Sequence, residues 1–507
     1  MSIQNPMVRH TLLLSMVSFL MRGISMTFQI WLSNRIGAEG IGQLQLILTV
    51  GGFGMTAGTA GVRVASMYLT AEERGKKRPA GMRHAIHCCL IYTSIVSLIV
   101  SAILFSGAEQ ICSRWISAAQ LAPVLRLFAV FLPAGCLTAV LSGWFTACVK
   151  IRLLSAIEVC MQLFVLSVSV FLLKLAGTDI VRCCRSIILA NGIGDALSLS
   201  ILYLIYRASQ KQRQDNPPRN MWSRLFRLCL PLAGSDLLRS GLSTSEHLLI
   251  PRGLSAYGGG TQSAMAAYGT IHGMVFPVMM FPSTFLYALA DLLVPELARC
   301  RAAGSETRVR YLVNRCLKSG FLFALCISGL LYCLSDSLGL LLYHSTEAAR
   351  FLRLFAPLVL MLYMDCITDA MLKGLGQQVA SVRYNIITSA LDIVCLILLL
   401  PRFGISGYFW SFTVTHALNF YLSIARLFKS SGYTPKLRFF AKSFLCAAAA
   451  LAVCILTLQR GASIVAILTG GTVYLGTVCA LFLLSGLLGS REYLWIRQLV
   501  RGQRTSV

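Results

Sequence analysis

Leu125-Arg-Leu-Phe-Ala129 recurs as Leu352-Arg-Leu-Phe-Ala356, 227 positions later, in a 507-residue chain whose other residues are mostly apolar. The same offset pairs Gly42 with Gly269. An offset of 217 pairs Arg22 with Arg239, Thr27 with Thr244, Leu32 with Leu249 and Arg35 with Arg252. The ten-residue difference matches a Gly-rich stretch, Ala256 to Met265, present only in the second copy. The chain therefore reads as one bundle built twice, and a doubled helical bundle enclosing a central site is the architecture of many secondary transporters.

With 56% hydrophobic residues, 13% charged residues and a mean hydropathy of +0.71, the chain carries more apolar surface than a soluble protein of this length buries. It reads as an all-α polytopic membrane protein. Stretches able to cross a hydrocarbon core of about 30 Å fall near 11–34, 42–70, 84–107, 123–148, 153–176, 186–206, 225–250 and 266–294. Six more fall near 314–343, 351–372, 380–400, 404–425, 440–458 and 463–487, giving about 14 transmembrane helices. The first contains Arg22, lacks a small-residue cleavage pattern and leads straight into further spans, so it is expected to persist in the mature protein.

The formal net charge of +26 collects on alternate connections. Arg74, Lys76, Lys77, Arg78 and Arg83 lie between spans two and three, Lys211, Arg213, Arg219, Arg224 and Arg227 between six and seven, and Arg426, Lys429, Lys436, Arg438 and Lys442 between twelve and thirteen. The opposite loops are poor in charge. This is the positive-inside asymmetry with both termini cytoplasmic, and it accounts for the basicity without nucleic acid. The 18 cysteines lie mostly singly in apolar helices with no Cys-x-x-Cys, so they read as small buried residues, with neither a disulfide framework nor a metal site. No nucleophile elbow, phosphate-binding loop or zinc-protease helix is present, so no cofactor is expected and any driving force must come from a gradient.

The polar stretch 209–222 reads as a cytoplasmic linker between an N-terminal six-helix bundle, 1–208, and a C-terminal one, 223–432. Residues 433–507 add two further helices, with few ionisable residues, and a cytoplasmic tail. An even number of spans per copy relates the bundles by an axis along the membrane normal.

Each ionisable group inside the bilayer demands a wet cavity or a partner, because burying it at the centre costs at least about 2.5 kcal/mol. Arg22 and Arg239 occupy the first helix of each copy, where two guanidinium groups facing one cavity would make an anion site. The competing reading pairs each with Asp236, Glu246 or a backbone carbonyl. Asp365, Asp369 and Lys373 repeat every four residues on one helix face. They read either as a coupling-ion or proton relay or as a self-neutralising stripe between helices. Pro277 and Pro282 interrupt span eight and predict a bend, as a hinge or as a fit to neighbouring helices.

His247-Leu-Leu-Ile-Pro-Arg-Gly-Leu-Ser-Ala-Tyr-Gly258 resembles the segment closing the seventh span of stage V sporulation protein B and related polysaccharide exporters. Tyr268-Gly269 through Pro282 to Leu293-Val-Pro-Glu296 resembles that family's eighth span. Leu372-Lys-Gly-Leu-Gly376 with Leu400-Pro-Arg-Phe-Gly-Ile-Ser-Gly407, and Arg35-Ile-Gly-Ala-Glu-Gly-Ile-Gly42, extend the likeness over roughly 10–430. The resemblance implies membership of the multidrug/oligosaccharidyl-lipid/polysaccharide exporter superfamily. Its fold would be MATE- and MurJ-like, with two six-helix bundles plus two C-terminal helices. It further implies that Arg22 and Arg239 receive the diphosphate of an undecaprenyl-linked sugar. Where such proteins carry a second arginine one turn along the first span, this chain has Met26 and Thr27, which puts Arg63 forward as the substitute.

The expected function is translocation of a lipid-linked oligosaccharide or cell-wall precursor by alternating access; the protein is expected to be a monomer and not an enzyme. Glu246, Asp236, Asp365 and Asp369 are candidates for coupling to sodium ions or protons. The alternatives are a cation-coupled multidrug exporter and a polyprenyl-phosphate-dependent transferase. The second of these is disfavoured by the short outer loops.

Overall fold

The computed structural model describes residues 6–209, 220–457 and 463–487. Most of the expected linker and the expected cytoplasmic tail lie outside the described residues. No strand occurs among those described; the chain runs α1 (Pro6–Thr59), α2 (Val62–Gly75), α3 (Pro79–Gln110), α4 (Ala122–Ala147), α5 (Ile151–Ala176), α6 (Ile180–Ala208) and α7 (Met221–Leu254). It continues through α8 (Gly260–Gly269), α9 (Phe276–Met280), α10 (Thr284–Ala302), α11 (Glu306–Cys333), α12 (Ser335–Tyr343), α13 (Thr346–Phe355) and α14 (Val359–Gly374). It ends with α15 (Gln378–Ser431), α16 (Leu437–Thr457) and α17 (Ile464–Leu484).

Among the described residues nine helices are long and apolar enough to cross a membrane, ten if the bent run α8 to α10 counts as one span. The protein is therefore a multi-pass membrane protein. A straight 54-residue helix such as α1 or α15 would run about 80 Å, far beyond a hydrocarbon core. Each instead turns a corner at one glycine, Gly37 (φ 72°) in α1 and Gly404 (φ 56°) in α15, in the left-handed region that side chains avoid. Each long helix is thus two consecutive spans, consistent with the 14 expected.

Contacts divide the chain into two compact units, Arg35–Gly269, and Met1–Asn34 with Thr270–Val507. In the first, the start of α7 enters the core of the first copy: Met221, Leu225 and Cys229 pack with Val62, Leu69, Cys88, Cys89 and Val140. In the second, the opening segment of α1 packs on elements of the second copy. The Phe19 ring lies tilted against those of Phe281 and Phe285, centres 5.4 and 5.1 Å away, Gln29 donates to the Gly273 carbonyl at 3.1 Å, and Asn34 donates to that of Leu342 at 2.8 Å. Each copy thus lends its first helix to the other. The appended helices α16 and α17 lie against α11, where Tyr474, Val478 and Phe482 bury with Leu322 and Leu325.

The repeat is written in the contacts of each unit. In the first, Arg126 pairs with Glu109 at 2.7 Å and Ser101 donates to the Ala129 carbonyl at 2.6 Å. In the second, Arg353 pairs with Asp336 and Ser328 donates to the Ala356 carbonyl at 3.0 Å. All four pairs of counterparts obey the 227-residue offset. That offset also links Gly42 to Gly269, and the two glycines meet inside Arg35–Gly269, each beside the residue four positions before the other, Ala38 and Met265. A Cβ on Gly42 would sit 2.5 Å from the Met265 carbonyl, and a Cβ on Gly269 would overlap the Ala38 carbonyl. Such reciprocity is the signature of a local two-fold relation. The 217-offset pair Arg35 and Arg252 has diverged: Arg35 caps the Leu173 and Gly177 carbonyls at the end of α5, whereas Arg252 lies over the Trp115 ring.

Candidate functional site: an arginine held at a helix break

The bend predicted from Pro277 and Pro282 is present. The six residues Thr270–Val275 form a π-helical turn, α9 follows, and the axis swings 56° before α10 begins. Pro282 has no N–H to donate, so the backbone across the break rewires to shorter bonds: Ser283 N–H reaches the Met280 carbonyl at 3.2 Å and Thr284 N–H that of Phe281 at 3.3 Å. The Met279 carbonyl, deprived of its helical donor, accepts the buried Tyr363 hydroxyl at 2.6 Å, and that of Met274 accepts the Tyr343 hydroxyl at 3.1 Å. Two tyrosines of neighbouring helices thus satisfy a backbone that lipid could not.

Arg22 meets this break. Its Nη1 donates to Thr284 Oγ1 at 3.0 Å, and its Cζ lies 5.4 Å from the centre of the Tyr287 ring. Arg22, Arg239 and Arg63 are all exposed, and among the described residues none of the three forms an ion pair. Asp236 and Glu246 are both half-buried on α7. Glu158 of α5 lies within electrostatic reach of Arg63.

Asp365 and Asp369 turn away from Lys373, which is exposed, toward α15. Asp365 Oδ2 accepts from Asn419 at 2.9 Å, Asp369 accepts from Ser381 at 2.7 Å, and the buried Asp392 accepts from Ser411 at 2.7 Å and Thr415 at 3.1 Å. Asp365 Oδ1 is buried without a hydrogen-bond partner. The stripe is thus a carboxylate–amide–hydroxyl seam between α14 and α15 rather than an internally neutralised row of charges. Sequence reasoning missed Thr284, Tyr287, Tyr363 and Asn419. The available signal was a hydroxyl residue two positions after a helix-breaking proline, which caps or turns rather than continues a helix.

At the ends facing the basic loops, Arg224 of α7 spans Glu72 at 2.5 Å and Glu73 at 2.7 Å, while Lys76 also holds Glu72 at 2.6 Å. The hydrogen bonds from Lys76 and then Arg224 hold the Glu72 carboxyl below its ordinary value.

The doubled bundle, its glycine corners and the broken helix make up an all-α polytopic membrane fold. The chain belongs to the polysaccharide biosynthesis protein family, whose model matches residues 7–300, and a MatE model matches residues 255–398. It is thereby a member of the multidrug/oligosaccharidyl-lipid/polysaccharide superfamily. Stage V sporulation protein B of Bacillus subtilis (strain 168) is 22% identical over 452 residues, 86% of each chain. The lipid II flippase MurJ in an inward closed conformation superposes with a TM-score of 0.70 at 14% identity, over 93% of this chain and 99% of that one. An inward-facing multidrug resistance MATE transporter gives 0.59 at 15% identity, over 81% and 95%.

Proposed function

We propose that this protein moves a lipid-linked oligosaccharide or cell-wall precursor across the bacterial cytoplasmic membrane by alternating access, with both termini cytoplasmic. The observation that carries the reading is Arg22: a guanidinium that forms no ion pair among the described residues, held by a hydroxyl and a ring at a helix break. A diphosphate with sugars cannot enter hydrocarbon unaided, and an arginine fork supplies two-point binding to its oxygens. We extend the same role to Arg239 and Arg63. Ion coupling is assigned to Asp236, Glu246, Asp365 and Asp369, and motion at Pro277 and Pro282 to the transport cycle.

The test is transfer of fluorescent undecaprenyl-diphosphate-linked sugars in proteoliposomes under imposed sodium or proton gradients. The Arg22→Ala, Arg239→Ala double variant is expected to insert normally and to transfer nothing; unchanged transfer refutes the role. A second reading, cation-coupled export of amphipathic drugs, is supported by the MatE match and by the carboxylate seam. Export of a cationic dye that survives loss of both arginines and fails in Asp365→Asn would favour it.

A further inference from the structure

Arginines that bind anions must be aimed without being neutralised, and the two partners of Arg22 do this in complementary ways. We propose that Thr284 and Tyr287, on the first turn of α10, are positioning residues that orient the Arg22 guanidinium toward a phosphate or diphosphate ester; this rests on the reading of Arg22 given above. Thr284 Oγ1 donates its own proton to the Phe281 carbonyl at 2.7 Å, so it faces Arg22 as an acceptor only. That contact occupies one of the five guanidinium N–H groups. Tyr287 stands 5.4 Å from Arg22 Cζ and restrains the plane of the fork through its ring face, occupying no donor. A carboxylate in either place would have cancelled the charge.

The backbone beneath is equally fixed. Phe19, one turn before Arg22, is clamped between Phe281 and Phe285 on either side of the break. Thr284 is nine-tenths buried, while Tyr287 and Arg22 are exposed, so the free face of the guanidinium is the one turned away from α10. Because both partners lie beyond Pro282, any change in the bend moves them together. The grip on Arg22 is thereby tied to the geometry of the broken helix.

The experiment measures binding of undecaprenyl diphosphate to the purified full chain by native mass spectrometry. Thr284→Val removes the hydroxyl at constant shape, and Tyr287→Leu removes the ring. Each should weaken binding roughly tenfold, the worth of one lost charged hydrogen bond or cation–π contact. Thr284→Ser and Tyr287→Phe keep the acceptor and the ring face and should bind within about twofold of the parent. In an Arg22→Ala background, Thr284→Val and Tyr287→Leu should cost nothing further, because they act through a group no longer there. Parent-like binding by Thr284→Val and Tyr287→Leu, alongside loss in Arg22→Ala, overturns the positioning role alone. Tyr287→Phe failing as badly as Tyr287→Leu, or losses that add to Arg22→Ala, overturns it as well. Parent-like binding by Arg22→Ala overturns both this inference and the arginine reading beneath it.

Discussion

Replacing Gly42 by alanine puts a methyl group 2.5 Å from the Met265 carbonyl oxygen, 3.2 Å from the Gly269 nitrogen and 3.3 Å from its Cα. A carbon and a carbonyl oxygen rest no closer than about 3.3 Å, so the two backbones must part by roughly 0.8 Å. No rotamer change relieves this, because every obstructing atom is main chain. Overpacking of this kind costs about 1–3 kcal/mol. Gly269→Ala overlaps the Ala38 carbonyl more deeply and should cost more than Gly42→Ala. The double variant should then cost clearly less than the sum, since one separation makes room for both methyl groups. Gly52→Ala is the control: it lies in the same long helix with nothing within 4 Å, and alanine there should be neutral or stabilising by up to about 1 kcal/mol. Thermal unfolding in a fixed detergent, followed by tryptophan fluorescence and size exclusion, reads all four. If Gly42→Ala and Gly269→Ala match Gly52→Ala, or if the double variant is additive, the reciprocal backbone crossing is wrong.

Arg224→Ala leaves Glu73, only 1% exposed, as an uncompensated buried charge; a loss of about 2–4 kcal/mol of stability is expected in the same unfolding assay, partly restored by Glu73→Gln. The lowered Glu72 carboxyl sets a pH dependence: its folded value lies below the ordinary 4.5, so its contribution is complete above pH 4.5 and vanishes as pH falls through the lowered value. The melting temperature of Glu72→Gln should therefore fall less than that of the parent on acidification from pH 6 to pH 3. Tyr363→Phe strands the Met279 carbonyl at the helix break and should cost about 1–3 kcal/mol, whereas Tyr474→Phe, whose hydroxyl makes a long 3.4 Å contact to Leu325, should cost less.

Much of the fold was legible without coordinates because the bilayer leaves few choices. Apolar length alone marks most of the spans. The repeated pentapeptide marked a doubling that the structure repeats down to single hydrogen bonds, Ser101 with Ala129 and Ser328 with Ala356. Pro277 and Pro282 announced the break because a missing N–H is a local property. The sequence already separated spans 11–34 from 42–70 and 380–400 from 404–425, yet only coordinates disclosed that each pair is one continuous helix turned at a single left-handed glycine, Gly37 or Gly404.

The sequence by itself determined which residues are too polar for lipid, since that cost belongs to each side chain alone. Tertiary structure decided what each of them faces. Helical spacing placed Asp365, Asp369 and Lys373 on one face, but packing against α15 gave the carboxylates amide and hydroxyl partners and left the lysine out. Arg22 found a threonine and a tyrosine 262 and 265 positions away. No periodicity encodes such a meeting, because it depends on each copy lending its first helix to the other and on a proline turning one backbone toward the other.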